Sequence, residues 1–196
     1  WSSDVCSSDL GAHHLTLPAG GNGTSLAGGP GAEAARVLVL GGGHAGAHAA
    51  EVAAALGAEV TVLTRTARTH AALRARTGGR VETGLATPED VERHALAADL
   101  VVGAVFVPGE PTPKLLPRTL VARMKRGAVI VDVSIDAGGV AETSRPTTLA
   151  APTFVAEGVV HYGVPNMPAA VARAAAGALS AAVLPYARAL AAKGIA

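Results

Sequence analysis

The stretch RVLVLGGGHAGAHAAEVAAALG, residues 36–57, narrows the possible folds more than any other part of the chain. A short apolar run, RVLVL, suits a strand buried on both faces of a sheet. It runs directly into Gly41, Gly43 and Gly46, spaced G-x-G-x-x-G, and then into an alanine-rich helix that ends at Gly57. Each glycine has a separate task in such a turn. The first allows the tight bend, the second lets a diphosphate approach the backbone, and the third lets helix and strand pack closely. Amides at the helix start then face the phosphate charge. A second strand, EVTVLT (59–64), follows at the distance a dinucleotide-binding βαβ unit requires.

The rest of the chain keeps the same rhythm. RVET is expected as a third strand, DLVVGAVF (99–106) as a fourth, AVIVDVSI (128–135) as a fifth and GVVHYGV as a sixth. Helices are expected from TARTHAALRARTGG, from PRTLVARMK, and over roughly residues 168–192. TPEDVERHALAA carries its own start signal, with Thr87 as N-cap, Pro88 in the first turn and two acids beside the positive end of the dipole. Alternation of this kind predicts an α/β fold, a Rossmann-like doubly wound parallel sheet followed by a C-terminal helical segment.

The domain limits follow from composition. Residues 35–166 are read as the dinucleotide-binding domain, and 167–196 as a helix beyond it. Residues 11–34, rich in Gly, Ala and Pro without a sustained period, are expected to be a linker. The first ten residues, WSSDVCSSDL, resemble the translation of a sequencing-library adapter and are expected to be a non-native tail, with an ordinary disordered tail as the alternative.

With 49% hydrophobic residues but only 3% aromatic, the core must be built from Ala, Val and Leu. A formal charge of +1 gives no field that would argue for nucleic acid. The apolar stretch 174–192 is interrupted by Pro185 and Arg188, and no membrane span is expected from it. The lone Cys6 agrees with a cytoplasmic protein. No metal-ligand spacing is read from the histidines and carboxylates, and no nucleophile elbow is present. His44 lies in the glycine turn, where it either touches phosphate or faces solvent. His161, in an apolar strand, reads as a satisfied core or pocket-wall histidine, and His70 and His94 read as surface residues. Asp136, at the end of VDVSIDAGG, is either a group that meets the nicotinamide ribose or substrate, or a turn carboxylate before two glycines.

The blocks RVLVLGGGHAG, ADLVVGAVFVPGEPTPKL, GAVIVDVSIDAGG, ETSRPTT, PTFVAEGVVHYGVPNMP and LPYARALAAKG together resemble the alanine dehydrogenase family, whose relatives include the nicotinamide-binding part of transhydrogenase alpha subunits. The resemblance covers residues 11–196. It implies NAD as cofactor and the reversible oxidative deamination of L-alanine to pyruvate and ammonia. By resemblance, Gly41, Gly43, His44, Ala45 and Gly46 would line the diphosphate, and Val105 and Phe106 the channel from adenine to nicotinamide. Val133, Ser134, Ile135 and Asp136 would hold the nicotinamide ribose, with Asp136 matching the family's catalytic aspartate. Arg145, Val164, Asn166 and Met167 would complete the pocket.

The resemblance also implies a separate substrate domain, which supplies the substrate-binding arginine and lysine and the catalytic histidine, and a hexamer. None of those groups is found in residues 11–196, so the chain is expected to be a C-terminal fragment that binds cofactor without turnover; a transhydrogenase-like domain and a non-catalytic cofactor-binding module are the alternatives. Ala86 stands where a cofactor-touching serine is common in the family. Thr64 stands where the family has aspartate, followed by Arg65, and this leaves both NAD and NADP open.

Overall fold

The computed structural model describes residues 6–194. Seven strands form one sheet in the order β3-β2-β1-β4-β5-β7-β6. These are β1 (Arg36–Leu40), β2 (Glu59–Thr64), β3 (Val81–Leu85), β4 (Leu100–Gly103), β5 (Val129–Asp132), β6 (Thr153–Ala156) and β7 (Val159–Tyr162). The helices are α1 (Ser7–His14), α2 (His44–Ala55), α3 (His70–Arg76), α4 (Pro88–Ala97), α5 (Arg118–Val121) and α6 (Ala172–Lys193). Strands β1, β2, β3, β4, β5 and β7 run parallel to one another, as expected for a doubly wound sheet.

Alternate residues of the central strands feed two apolar layers, which is why these strands read as unbroken hydrophobic runs. Val37, Val39, Val60, Val62, Leu100, Val102, Val129 and Val131 face one side, against the alanines of α2. Leu38, Leu40, Leu63, Val101 and Ile130 face the other, against Val91, Ala95, Leu120 and Met124. Each fully buried Val or Leu is worth about 1.5–3 kcal/mol, so these two layers, not the few aromatics, hold the domain together.

The sheet differs from expectation at one edge. β6 pairs antiparallel with β7, with Phe154 opposite His161, so the sheet is not wholly parallel. The two are joined through Glu157 and Gly158, both at positive φ (53° and 79°), the geometry of a tight hairpin turn. β4 and β5 also stop earlier than expected. Asp132 accepts a hydrogen bond from the amide of Ser134 (3.2 Å), which turns the chain out of the sheet. α5 is a single α-helical turn, extended by tighter turns to Met124.

The N-terminal segment, expected as tail and linker, packs on the sheet in the residues described. Cys6, Leu15 and Leu26 are buried. α1 lies on the sheet because its packing face is small: a Cβ on Gly11 would fall 2.5 Å from Leu100. The Ser8 hydroxyl also donates to the Ala49 carbonyl (2.8 Å) on α2. Residues 1–5 of the expected tail, and 195–196, lie outside the described residues. Lower down, Asp99 gathers the base of the sheet. It accepts from the Arg36 amide (2.9 Å), the Asn22 side chain (3.0 Å) and Lys125 (2.8 Å).

After a 3-10 turn at Met167–Val171, α6 leaves the domain. Met167–Ala192 is long and apolar enough, by length and composition alone, to cross a membrane. Its apolarity comes largely from alanine, and Pro185 lies within the helix. Leu179, Val183, Tyr186 and Leu190 lie exposed along it, and Ala175 is buried.

Candidate cofactor site

Strand register lines up the C-terminal ends of four neighbours. Leu63 pairs with Leu40, Leu40 with Gly103, and Gly103 with Asp132. The residues just past this line form the crest of the sheet: Thr64 and Arg65, the Gly41–Gly46 turn, Val105 and Phe106, and Val133–Asp136. The chain winds from β1 to β2 on one side and to β4 on the other, so the crevice where ligands bind in such sheets opens between β1 and β4.

The glycine turn has the shape of a diphosphate cradle. Gly41 sits at φ 104°, and a Cβ there would fall 2.3 Å from the Ala104 carbonyl. A Cβ on Gly46 would come within 1.9 Å of the Gly41 carbonyl, so helix and turn close on each other only with glycine. Gly43, the α2 N-cap, is different: a Cβ there would meet nothing within 4 Å. Two glycines serve packing, and the third leaves open space beside the helix start. The first backbone bond of α2 runs from the Ala47 amide to the Gly43 carbonyl (2.8 Å). The amides ahead of it point out of the helix end, the arrangement that receives a phosphate. The residues present therefore fit a dinucleotide.

The second half of the crest is a clamped loop. Asp132 is 2% exposed, and besides Ser134 it accepts from the Val140 amide (2.8 Å) and the Ser144 hydroxyl (2.6 Å). Burial raises its pKa above the usual carboxylate range, while these three donors and Lys114 oppose the rise. Lys114 grips the same loop from outside, donating to the carbonyls of Gly138, Gly139 (2.9 Å) and Ala141 (3.1 Å). The Ser134 hydroxyl accepts from the Val105 amide (2.9 Å) and donates to the Val105 carbonyl (2.8 Å), which ties this loop to the one after β4. Between the clamps, a 3-10 turn over Ile135–Ala137 leaves Asp136 exposed at the crest.

Not every expected residue stands free to touch a ligand. Phe106 is 78% exposed and Val133 half-buried, but Ile135, Val164 and Met167 are in the core and act there as packing. Asn166 adopts a left-handed conformation (φ 53°) that starts the turn into α6. The Arg145 guanidinium lies over the Phe154 ring at 4.2 Å, and Phe154 in turn stacks on His161. His161 is buried and neutral in its bonding. Nδ1 must donate to the Val159 carbonyl (2.9 Å), so Nε2 accepts from the Thr143 hydroxyl (2.7 Å).

Sequence reading missed several groups. Lys114 and Ser144 carry no signal of their own in the sequence, and only the fold brings them to Asp132. His44 and His48 do share the i, i+4 spacing on α2, although no group of three or more metal-ligating side chains occurs among the described residues. His70, expected at the surface, is half-buried against Thr64 (2.7 Å).

A family model described as alanine dehydrogenase/PNT, C-terminal domain, matches residues 7–196. The chain belongs to this family. The alanine dehydrogenase of Halomonas elongata is 50% identical over 184 residues, covering 94% of this chain and 50% of that protein. That of Mycolicibacterium smegmatis is 46% identical over 188 residues, covering 96% and 51%. Among solved structures, an L-alanine dehydrogenase superposes with a TM-score of 0.91 at 42% identity, covering 98% of this chain and 54% of that one. A transhydrogenase from Sinorhizobium meliloti superposes less closely, with a TM-score of 0.65 at 25% identity, covering 89% and 52%. The chain thus spans about half the length of the curated relatives it matches. The alanine dehydrogenase/PNT match takes in Ser7–Leu10, which the sequence resemblance had left out.

Proposed function

We propose that this chain is the dinucleotide-binding half of an L-alanine dehydrogenase, the enzyme that deaminates L-alanine oxidatively and reversibly to pyruvate and ammonia. The observation that carries this reading is the pairing, on one crest, of the Gly41–Gly46 cradle with the clamped Ser134–Asp136 loop, in a chain 50% identical to an alanine dehydrogenase. The nicotinamide of the bound cofactor supplies the hydride acceptor. The chain's own residues bind and orient. The α2 amides and Gly43 take the diphosphate, while Val105, Phe106 and Val133 border the path to the reacting ring. Asp136, held by the turn that Asp132 and Lys114 fix, presents its carboxylate at the crest.

An amino-acid substrate needs a cationic clamp on its carboxylate and an acid–base group at the nitrogen. In the full-length enzyme we assign both to the half that this chain does not span. A cytoplasmic hexamer is part of the same proposal. NAD is the family's cofactor, and NADP is accepted as well because Thr64 and Arg65 stand where a carboxylate would repel it.

Titration of the purified chain with reduced dinucleotide, followed by nicotinamide fluorescence, should show saturable binding, and L-alanine should produce no absorbance change at the nicotinamide band. Failure to bind either dinucleotide overturns the proposal. Alanine-dependent turnover by the chain alone overturns the assignment of the substrate groups to the other half.

A further inference from the structure

The segment that leaves the crest of β2 and returns to β3 carries an unusual concentration of positive charge. Between Glu59 and Glu82 there is no carboxylate, but there are five arginines, at 65, 68, 74, 76 and 80, together with His70. Two of the five are engaged elsewhere. Arg76 pairs with Glu51 (2.7 Å), and Arg80 donates to the carbonyls of Thr77 (3.0 Å) and Ala54 (3.4 Å). Arg65 and Arg68 are exposed, and among the described residues no carboxylate pairs with either.

The neutral side chain at the strand end is occupied, and in a particular direction. Thr64 is 5% exposed, and its hydroxyl proton goes to the Thr66 carbonyl (2.7 Å). The Thr64 oxygen therefore accepts from His70 Nε2 (2.7 Å), which must carry a proton. This chain of bonds closes the turn over residues 65–69 and fixes how it presents Arg65 and Arg68. The same turn abuts the glycine cradle: a Cβ on Gly42 would fall 2.7 Å from the Thr64 methyl and 3.1 Å from the Thr69 hydroxyl. The basic turn thus borders the position next to the diphosphate, where the adenosine ribose of a dinucleotide lies in this type of sheet.

Given the dinucleotide reading above, on which this inference rests, we infer that the β2 crest is a 2′-phosphate site. Arg65 and Arg68 supply the charge, Thr69 supplies a hydroxyl donor, and the Thr64–His70 bond is the positioning element. The preferred ligand class is a 2′-phosphorylated adenosine dinucleotide, NADP(H), ahead of NAD(H). A carboxylate at the strand end would accept from both ribose hydroxyls and repel the phosphate. Thr64 does neither, and the guanidinium groups reward the added charge.

The test is a set of titrations on the 196-residue chain with NADP+, NAD+, adenosine 2′,5′-bisphosphate and 5′-AMP, at two salt concentrations. NADP+ is expected to bind about tenfold more tightly than NAD+, the order of one net hydrogen bond to a charged group, and the bisphosphate more tightly than 5′-AMP, with the margin shrinking at high salt. Arg65→Ala with Arg68→Ala, both at exposed positions, should collapse the NADP+/NAD+ ratio towards one, with the fold checked by circular dichroism. Thr64→Asp should invert the ratio. His70→Ala should lower the ratio and His70→Gln should restore it, since glutamine can still donate to Thr64; a purely structural role would weaken both dinucleotides alike. Tighter binding of NAD+ than NADP+, or a ratio indifferent to the arginine pair, overturns the inference while leaving the dinucleotide reading intact. Absence of binding by either dinucleotide overturns that reading itself.

Discussion

Asp132 does more for the site than its position inside the strand end suggests. Its Oδ1 accepts from the Ser134 amide, and its Oδ2 accepts from the Val140 amide and the Ser144 hydroxyl. An asparagine could keep one oxygen where Oδ2 stands, but its NH2 would then confront the Ser134 amide, donor against donor. Asp132→Asn is therefore expected to cost about 1–3 kcal/mol, the range for leaving a buried donor unmade, and to weaken dinucleotide binding because Ser134–Asp136 lose their anchor. Urea unfolding together with a cofactor titration checks this; an unchanged midpoint would show that the loop holds its shape without the carboxylate. The mechanism differs from that expected for Asp136. That residue is exposed, so replacing it with Asn should spare the fold and, in a full-length enzyme, remove activity.

At the scale of elements, β7 ties the hairpin edge to the sheet through a histidine that cannot readily take a second proton. Burial lowers the His161 pKa below the usual histidine range, against the raising effect of its bond to the Val159 carbonyl and with a smaller lowering from Arg118. His14, packed at a tilt to the Tyr162 ring, is lowered too, by burial first and by His13 second. In the unfolded chain both take up protons as pH falls below about 6.5. The folded chain does not, until the pH reaches the lower folded values. Unfolding therefore binds protons, and stability is fully present above the ordinary histidine range and drains away as pH falls through it. Urea midpoints between pH 7.5 and pH 5.5 should decline for the wild type and decline less for His161→Gln. Equal slopes would mean that His161 carries no part of the acid sensitivity.

The same elements show what could be read from the chain beforehand. β1, β2, β4 and β5 are buried on both faces, so their Val and Leu runs announce them. β6 is an edge strand with Val155 65% exposed, and its turn is built on Glu157-Gly158 rather than Asn-Gly; its four residues, TFVA, favour a strand but are too few to show a period. α1 escaped notice because it packs with Ser8 and Gly11, residues that carry no hydrophobic period. The tight turn at Gly41 and Gly46 and the exposed turn at Asp136 were legible because each motif is local. Lys114, Ser144 and His70 act through contacts formed only when distant segments meet.

Over the whole molecule, α6 stands apart from the domain it follows. Among its described side chains only Ala175 is buried, while Leu179, Val183, Tyr186 and Leu190 repeat at i, i+4, i+7 and i+11 along one exposed stripe. Removing residues 172–196 should lower domain stability by about 1 kcal/mol or less, the value of a buried methyl group, and leave dinucleotide affinity unchanged. A thermal melt and a cofactor titration of the shortened chain would test this; a large fall in the midpoint would place the helix within the cooperative unit.

The Asp99 clasp at the opposite end of the sheet has a mechanical meaning. One carboxylate holds the first amide of β1, the Asn22 side chain of the preceding segment, and Lys125 from the turn before β5. Loss of this one carboxylate would therefore loosen three segments together: the residues around Asn22, the start of β1 and the turn before β5.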